Sequence, residues 1–81
     1  MVFNERTLPN ALRHEHATKA GVWGVVRVLE GSLRLRFEDG REQRLDAGNA
    51  AVVRPQEVHW VELVEKVQVQ IEFYDRSPAP E

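Results

Sequence analysis

Residues 14–37 read HEHATKAGVWGVVRVLEGSLRLRF, and this stretch decides the fold. Val22, Val25, Val26, Val28 and Leu29 make a run that is apolar on both faces apart from Arg27. That is the pattern of a central strand covered on two sides. Gly24 inside the run marks a bulge or the close approach of another group. Glu30-Gly31-Ser32 reads as a turn. Beyond it Leu33, Leu35 and Phe37 alternate with Arg34 and Arg36, which gives a second strand with one wet face.

Toward the N-terminus, Leu12, His14 and His16 fall on one side of an extended segment, with Arg13 and Glu15 on the other. Gly21 and the β-branched run after it favour extended chain over helix for residues 11–20. Val2, Phe3 and Leu8 lie ahead of a Pro9-Asn10 turn signal, so residues 1–8 read as an edge strand or an arm packed on a neighbour. Toward the C-terminus, Asp39-Gly40 is a hairpin signal with a polar return strand over residues 41–45. Residues 50–53 form a short buried strand stopped by Arg54-Pro55. His59, Val61 and Leu63 then share one strand face, with Trp60 and Glu62 on the other. In residues 67–74, Val67, Val69, Ile71 and Phe73 alternate with Gln68, Gln70, Glu72 and Tyr74. Some six to eight short strands without an amphipathic helix indicate an all-β sandwich or barrel. The expected organisation is one domain over residues 1–75 and a short flexible tail at 76–81.

A chain of 81 residues supports one core near the lower size limit for folding alone, and a homodimer is expected to enlarge it. There is no cysteine, which excludes disulfides and thiol catalysis and leaves imidazole, carboxylate, carbonyl or water to hold any metal. The 11 basic and 13 acidic side chains give a net charge of −2, with no general attraction to nucleic acid or anionic lipid. No run approaches the roughly 20 apolar residues of a membrane span, and the start lacks a signal-peptide pattern, so a soluble, cytoplasmic protein is expected. The glycines are scattered among strands rather than opening a helix, and neither serine sits in a nucleophile elbow. No catalytic residue is identified.

Taken in order, HATKAGVWGVVRVLEGSLRLRF, RPQEVHWVE and IEFYD resemble the cupin superfamily and, more narrowly, the tellurite-resistance-protein-B-like (TehB/YeaR-like) cupin domain, over residues 8–75. The resemblance implies a small RmlC-like double-stranded β-helix, or jelly-roll barrel, with a metal site inside, and a role in tellurite or other stress response. The general cupin pattern has two histidines one residue apart, a glutamate soon after, and a third histidine from a second motif. His14, His16 and His59 match the histidines. Residues 17–29 contain no acidic residue, so the glutamate has no counterpart. The narrow family's recurrent histidine falls on His16 rather than His14.

Two imidazoles at i and i+2 on a strand project to one side about 7 Å apart. With His59 they make three nitrogen donors for a divalent zinc, iron or nickel ion with an open position. Glu62 and Glu72 are replacement acids, although alternation places both opposite the apolar faces. The plainer reading is a metal-free pocket in which His16 and His59 are held by hydrogen bonds. Trp23 and Trp60 are candidates for the pocket mouth, and Lys19 for contact with an anion. Arg27, Arg34, Arg36, Arg41 and Arg44 read as a solvated face crossed by acids. Three functions remain open: a module binding a small molecule or oxyanion, a metal-dependent cupin enzyme of the oxygenase or isomerase type, and an interaction protein. The missing glutamate favours the first.

Overall fold

A computed structural model describes residues 1–78. Every strand pairs antiparallel, as the alternating sequence requires, and the strands order themselves around one long element, β2 (Trp23–Phe37). Its main partner is the equally long β5 (His59–Tyr74). On the other side of β2, β3 (Glu42–Asp46) pairs with its second half, and β4 (Ala50–Val53) with its first half. The short β1 (Val2–Asn4) pairs with β5 at Gln68, Val69 and Gln70. The sole helical element among the described residues is a 3-10 turn at Asn10–Arg13. No helix among the described residues is long and apolar enough to cross a membrane.

Among the described residues five strands replace the expected six to eight, because β2 and β5 each run through a place where the sequence suggests a break. At Glu30-Gly31-Ser32 the chain does not reverse. Instead, the ladder to β5 slips between Val28 and Glu30, leaving Leu29 as an extra residue, and slips again between Gly31 and Leu33. Across the second slip, residues 64–66 of β5 stand against Ser32 alone. Such bulges bend and twist a strand pair without ending it. Gly31 is required here: its φ is +78°, and a Cβ would lie 2.0 Å from the Lys66 carbonyl oxygen. Two side chains satisfy the polar groups at the bend. The Val67 N–H donates to Glu5 Oε1 at 3.1 Å, and buried Ser32 donates to Glu65 Oε1 at 2.8 Å. The bond from Val67 is the main cause that holds the Glu5 carboxyl below its ordinary pKa.

The bend divides the β2/β5 pair into two halves whose apolar faces turn toward each other. Val26 and Val28 of the first half lie opposite Ile71 and Val69, and Leu33, Leu35 and Phe37 of the second lie opposite Leu63, Val61 and His59. Leu45 of β3 and Val53 of β4 join this core, with Leu33, Leu35, Leu45, Val28 and Val69 all removed from solvent. Each such side chain contributes on the order of 1.5–3 kcal/mol through burial. The opposite face of the second half carries a charge network, in which Arg36 lies 3.3 Å from both Glu42 and Glu62, and Arg34 lies 3.5 Å from Glu42 and 3.9 Å from Glu62. Of the tail expected at 76–81, Arg76 and Ser77 are exposed, and residues 79–81 lie outside the described residues.

Candidate functional site

The space between the two halves of the bent pair is not completely filled. It forms a cavity of about 310 Å³. Val26 and Gly24 from β2, Ile71 and Phe73 from β5 and Val53 from β4 make one wall; Val61 and His59, from the other half of β5, face them. Leu12, His16, Thr18, Lys19 and Val22 close the side where the chain enters β2. The mouth is marked by Phe73, which is 62% exposed. Gly24 keeps space open without strain: a Cβ there would meet Val53 and Thr18 at ordinary contact distances of 3.7 and 3.9 Å. The polar side chains in the lining are His16, His59, Thr18 and Lys19. Thr18 is committed to the loop, donating to the Val22 carbonyl at 2.8 Å and accepting from the Gln56 N–H at 3.2 Å. Lys19 is exposed.

His16 and His59 are brought together by backbone pairing. The His59 N–H donates to the His16 carbonyl at 2.9 Å, and the His16 N–H donates back to the His59 carbonyl at 3.1 Å. The two rings lie 4.2 Å apart between centroids, tilted by 58°. Each ring is fixed by the same device, a bond from Nδ1 to the carbonyl two residues earlier. His16 Nδ1 meets the His14 carbonyl at 2.8 Å, and His59 Nδ1 meets the Glu57 carbonyl at 2.7 Å. A carbonyl oxygen only accepts, so Nδ1 carries the proton in both rings and Nε2 keeps its lone pair in the neutral form. Burial is the largest influence on His59 and lowers its pKa; the adjacent His16 lowers it further, against the raising effect of the Glu57 carbonyl. His59 is therefore a neutral imidazole at pH 7.

The other residues singled out in the sequence are placed elsewhere. The 3-10 turn at Asn10–Arg13 and the bend at residues 14–15 interrupt the extended segment that would have aligned His14 with Leu12 and His16. His14 is exposed beside Arg13, Glu15 and Trp60, and contributes its carbonyl rather than its ring to the pair. Trp23 pairs across the sheet with Tyr74, and Trp60 with Arg36, both outside the cavity lining. Glu62 belongs to the arginine network. Glu72 lies 3.6 Å from Arg27 and accepts bonds from Gln70 and, at 2.6 Å, from the Tyr74 hydroxyl, which is the main cause that holds its carboxyl below the ordinary pKa. Each member of the arginine row has an acidic partner: Arg27 with Glu72, Arg34 and Arg36 with Glu42 and Glu62, Arg41 with Asp39 and Glu57, and Arg44 with Asp46.

Among the described residues no group of three or more His, Cys, Asp or Glu side chains is arranged to hold a metal. Two imidazoles bound through Nε2 to a tetrahedral ion place their centroids about 5 Å apart, given a metal–nitrogen distance of about 2.0–2.1 Å. The observed 4.2 Å is the spacing of a packed pair. The residues present therefore do not form a three-ligand centre. What the sequence reading passed over is the apolar lining: Val26, Val53, Val61 and Ile71 read as core. The signal available was the shared face of His59 and Val61, which put a histidine among apolar neighbours.

The sequence matches the TehB-like domain family over residues 1–71. The structure superposes on TehB from Haemophilus influenzae with a TM-score of 0.81 at 29% identity, covering 90% of this chain and 28% of that one. This chain thus spans little more than a quarter of that relative. A structure from Escherichia coli K12 gives a TM-score of 0.76 at 21% identity, covering 100% of this chain and 86% of that one. A DUF861 family protein from Thermotoga maritima gives 0.59 at 16% identity, covering 91% of this chain and 100% of that one. No curated protein matches the sequence.

Proposed function

The chain belongs to the TehB-like domain family, and from that premise we propose that it is a small-molecule binding module whose site is the cavity ended by His16 and His59. In this reading the two halves of the bent sheet are the facing walls of a small cupin-type barrel, a compact double-stranded β-helix. The observation that carries it is the contrast inside the cavity: apolar walls on most sides and, at one place, two imidazoles locked by their own backbone with Nε2 left over. Cavities of this size and lining, with a few fixed polar groups, are the usual form of a small-ligand site.

Binding is favoured over catalysis because the candidate acids are engaged in ion pairs, as is Glu57 beside His59, whose carboxylate is paired with Arg41. Glu62 serves Arg34 and Arg36, and Glu72 serves Arg27 and Tyr74. The oxygenase or isomerase reading needs a metal with an open position. No such centre is arranged among the described residues, and the packed rings of His16 and His59 would have to separate before both Nε2 atoms could reach one ion. A place in tellurite or other stress response belongs to the same proposal and rests on the family resemblance.

The experiment is a fragment screen by thermal shift, run with and without zinc, iron(II) and nickel(II), followed by amide NMR. A ligand that binds only the native state stabilises it by about 2.7 kcal/mol at 100 times its Kd. Hits are expected to move the amides of Val26, Val61 and Ile71, and element analysis of the purified protein reports any resident metal. Hits that leave those amides unmoved, or none at millimolar concentration, would remove the proposal.

A further inference from the structure

We infer that the cavity selects a neutral ligand with an apolar body and one hydrogen-bond-donating hydroxyl, of the phenol class, and rejects oxyanions of the same size. This deepens the binding proposal above and rests on it.

An oxyanion buried away from water must be met by donors, since an unpaired buried charge is far costlier than an unpaired dipole. The cavity offers few. Both Nδ1–H groups are already used on the carbonyls of His14 and Glu57. The Thr18 hydroxyl donates to the Val22 carbonyl. Lys19 is exposed, and an ammonium in contact with water adds little to the binding of an anion. The arginines of the sheet are each paired with acids and do not line the cavity.

What the site does offer is acceptors. With Nδ1 protonated in each ring, Nε2 of His16 and of His59 can only accept until the ring gains a second proton. Burial and the neighbouring ring both oppose that proton on His59. Rings packed at 4.2 Å leave no room for an atom between them, so a hydroxyl donates from the cavity to an Nε2 at the edge of the pair, within a lining that is otherwise mostly apolar. The walls of Val26, Val53, Val61 and Ile71 then take the hydrocarbon part. A phenol suits both ends, since its O–H is a strong donor and stays neutral at pH 7, with a pKa of about 10 in the tyrosine side chain.

The test uses three probes of one shape on the full chain: 4-ethylphenol, its methyl ether 4-ethylanisole, and 4-ethylbenzoate. Binding is read from the amides of Val26, Val61 and Ile71, and protonation from the imidazole nitrogen-15 resonances. The phenol is expected to bind at least about tenfold more tightly than either competitor, the factor set by leaving one buried polar group unpaired. In the free protein Nε2 of His59 should be unprotonated, and the phenol alone should move it. In His16→Ala, where the ring is half-buried and its loss leaves the strands intact, the preference should disappear. Equal binding of the ether, tighter binding of the benzoate, or a protonated His59 Nε2 in the free protein overturns the inference while the cavity remains a binding site. If no probe moves the cavity amides, the binding proposal fails and the inference with it.

Discussion

Replacing Gly31 with alanine separates two effects that usually occur together, because Gly21 supplies a matched control. Their φ angles are +78° and +79°. At both sites alanine must adopt the left-handed region, which costs roughly 1–2 kcal/mol, partly offset by about 0.4–1 kcal/mol from the stiffer unfolded chain. At Gly21 nothing lies within 4 Å of the new methyl group. At Gly31 it would sit 2.0 Å from the Lys66 carbonyl oxygen, 3.1 Å from the Lys66 carbonyl carbon and 3.2 Å from Val67 Cα. All three are backbone atoms, so no rotamer change relieves the overlap and the bulge must shift. Overpacking of a fixed site costs about 1–3 kcal/mol and sometimes more. Gly31→Ala should therefore be less stable than Gly21→Ala by at least about 2 kcal/mol, a Tm difference of about 8 °C or more in a domain of this size. Circular dichroism melts of the two variants read it directly. Melting temperatures that agree within about 3 °C would show that the strands do not approach closely at the bend.

Three further outcomes follow from the site and the bend. His59 has its pKa pushed below the ordinary 6.5, so the unfolded chain takes up a proton first; its contribution to stability is full above pH 6.5 and is lost as the pH falls toward the folded value. The Tm of the wild type should drop through that range more steeply than that of His59→Phe. Val26→Phe fills the cavity with a ring, and should abolish ligand-induced thermal shifts while changing the ligand-free Tm by only a few degrees, since the added carbons enter existing space. Ser32→Ala removes the donor to Glu65 at a site 1% exposed, and should cost about 1 kcal/mol in a urea melt; a neutral result would mean that Ser32 is no part of what holds the bulge.

The strand faces were legible in the sequence because a period of two is imposed residue by residue. Leu33, Leu35 and Phe37 face the core and Arg34 and Arg36 face away, as the alternation requires. The bend was not legible. A glycine at positive φ serves a turn and a bulge equally well, and what distinguishes them at Gly31 is the Lys66 carbonyl, far away in sequence. Glu65 and Lys66 likewise look like a break between two strands, yet both sit within β5, where Glu65 serves Ser32. The pairing of His16 with His59 could be suspected from their apolar neighbours. The exclusion of His14 could not, because it depends on the 3-10 turn at Asn10–Arg13 and the bend at residues 14–15, and nothing in the local alternation announces either.

The register of β2 with β5 also carries a consequence for how the protein forms and opens. Within that ladder, Phe37 and His59 are the partners nearest in sequence, and every later pair out to Trp23 and Tyr74 encloses a longer loop. Closing the shortest loop first costs the least chain entropy, and each subsequent pair then adds only a small increment. Zipping is expected to start at the His59 end and to finish at Trp23 and Tyr74, so the wall bearing Gly24 and Phe73 docks last. A segment that arrives last is also the first to detach. Amide exchange should be fastest near Tyr74 and slowest beside Phe37, and a guest molecule would enter through transient loosening of that late-arriving edge, with the imidazole pair still assembled.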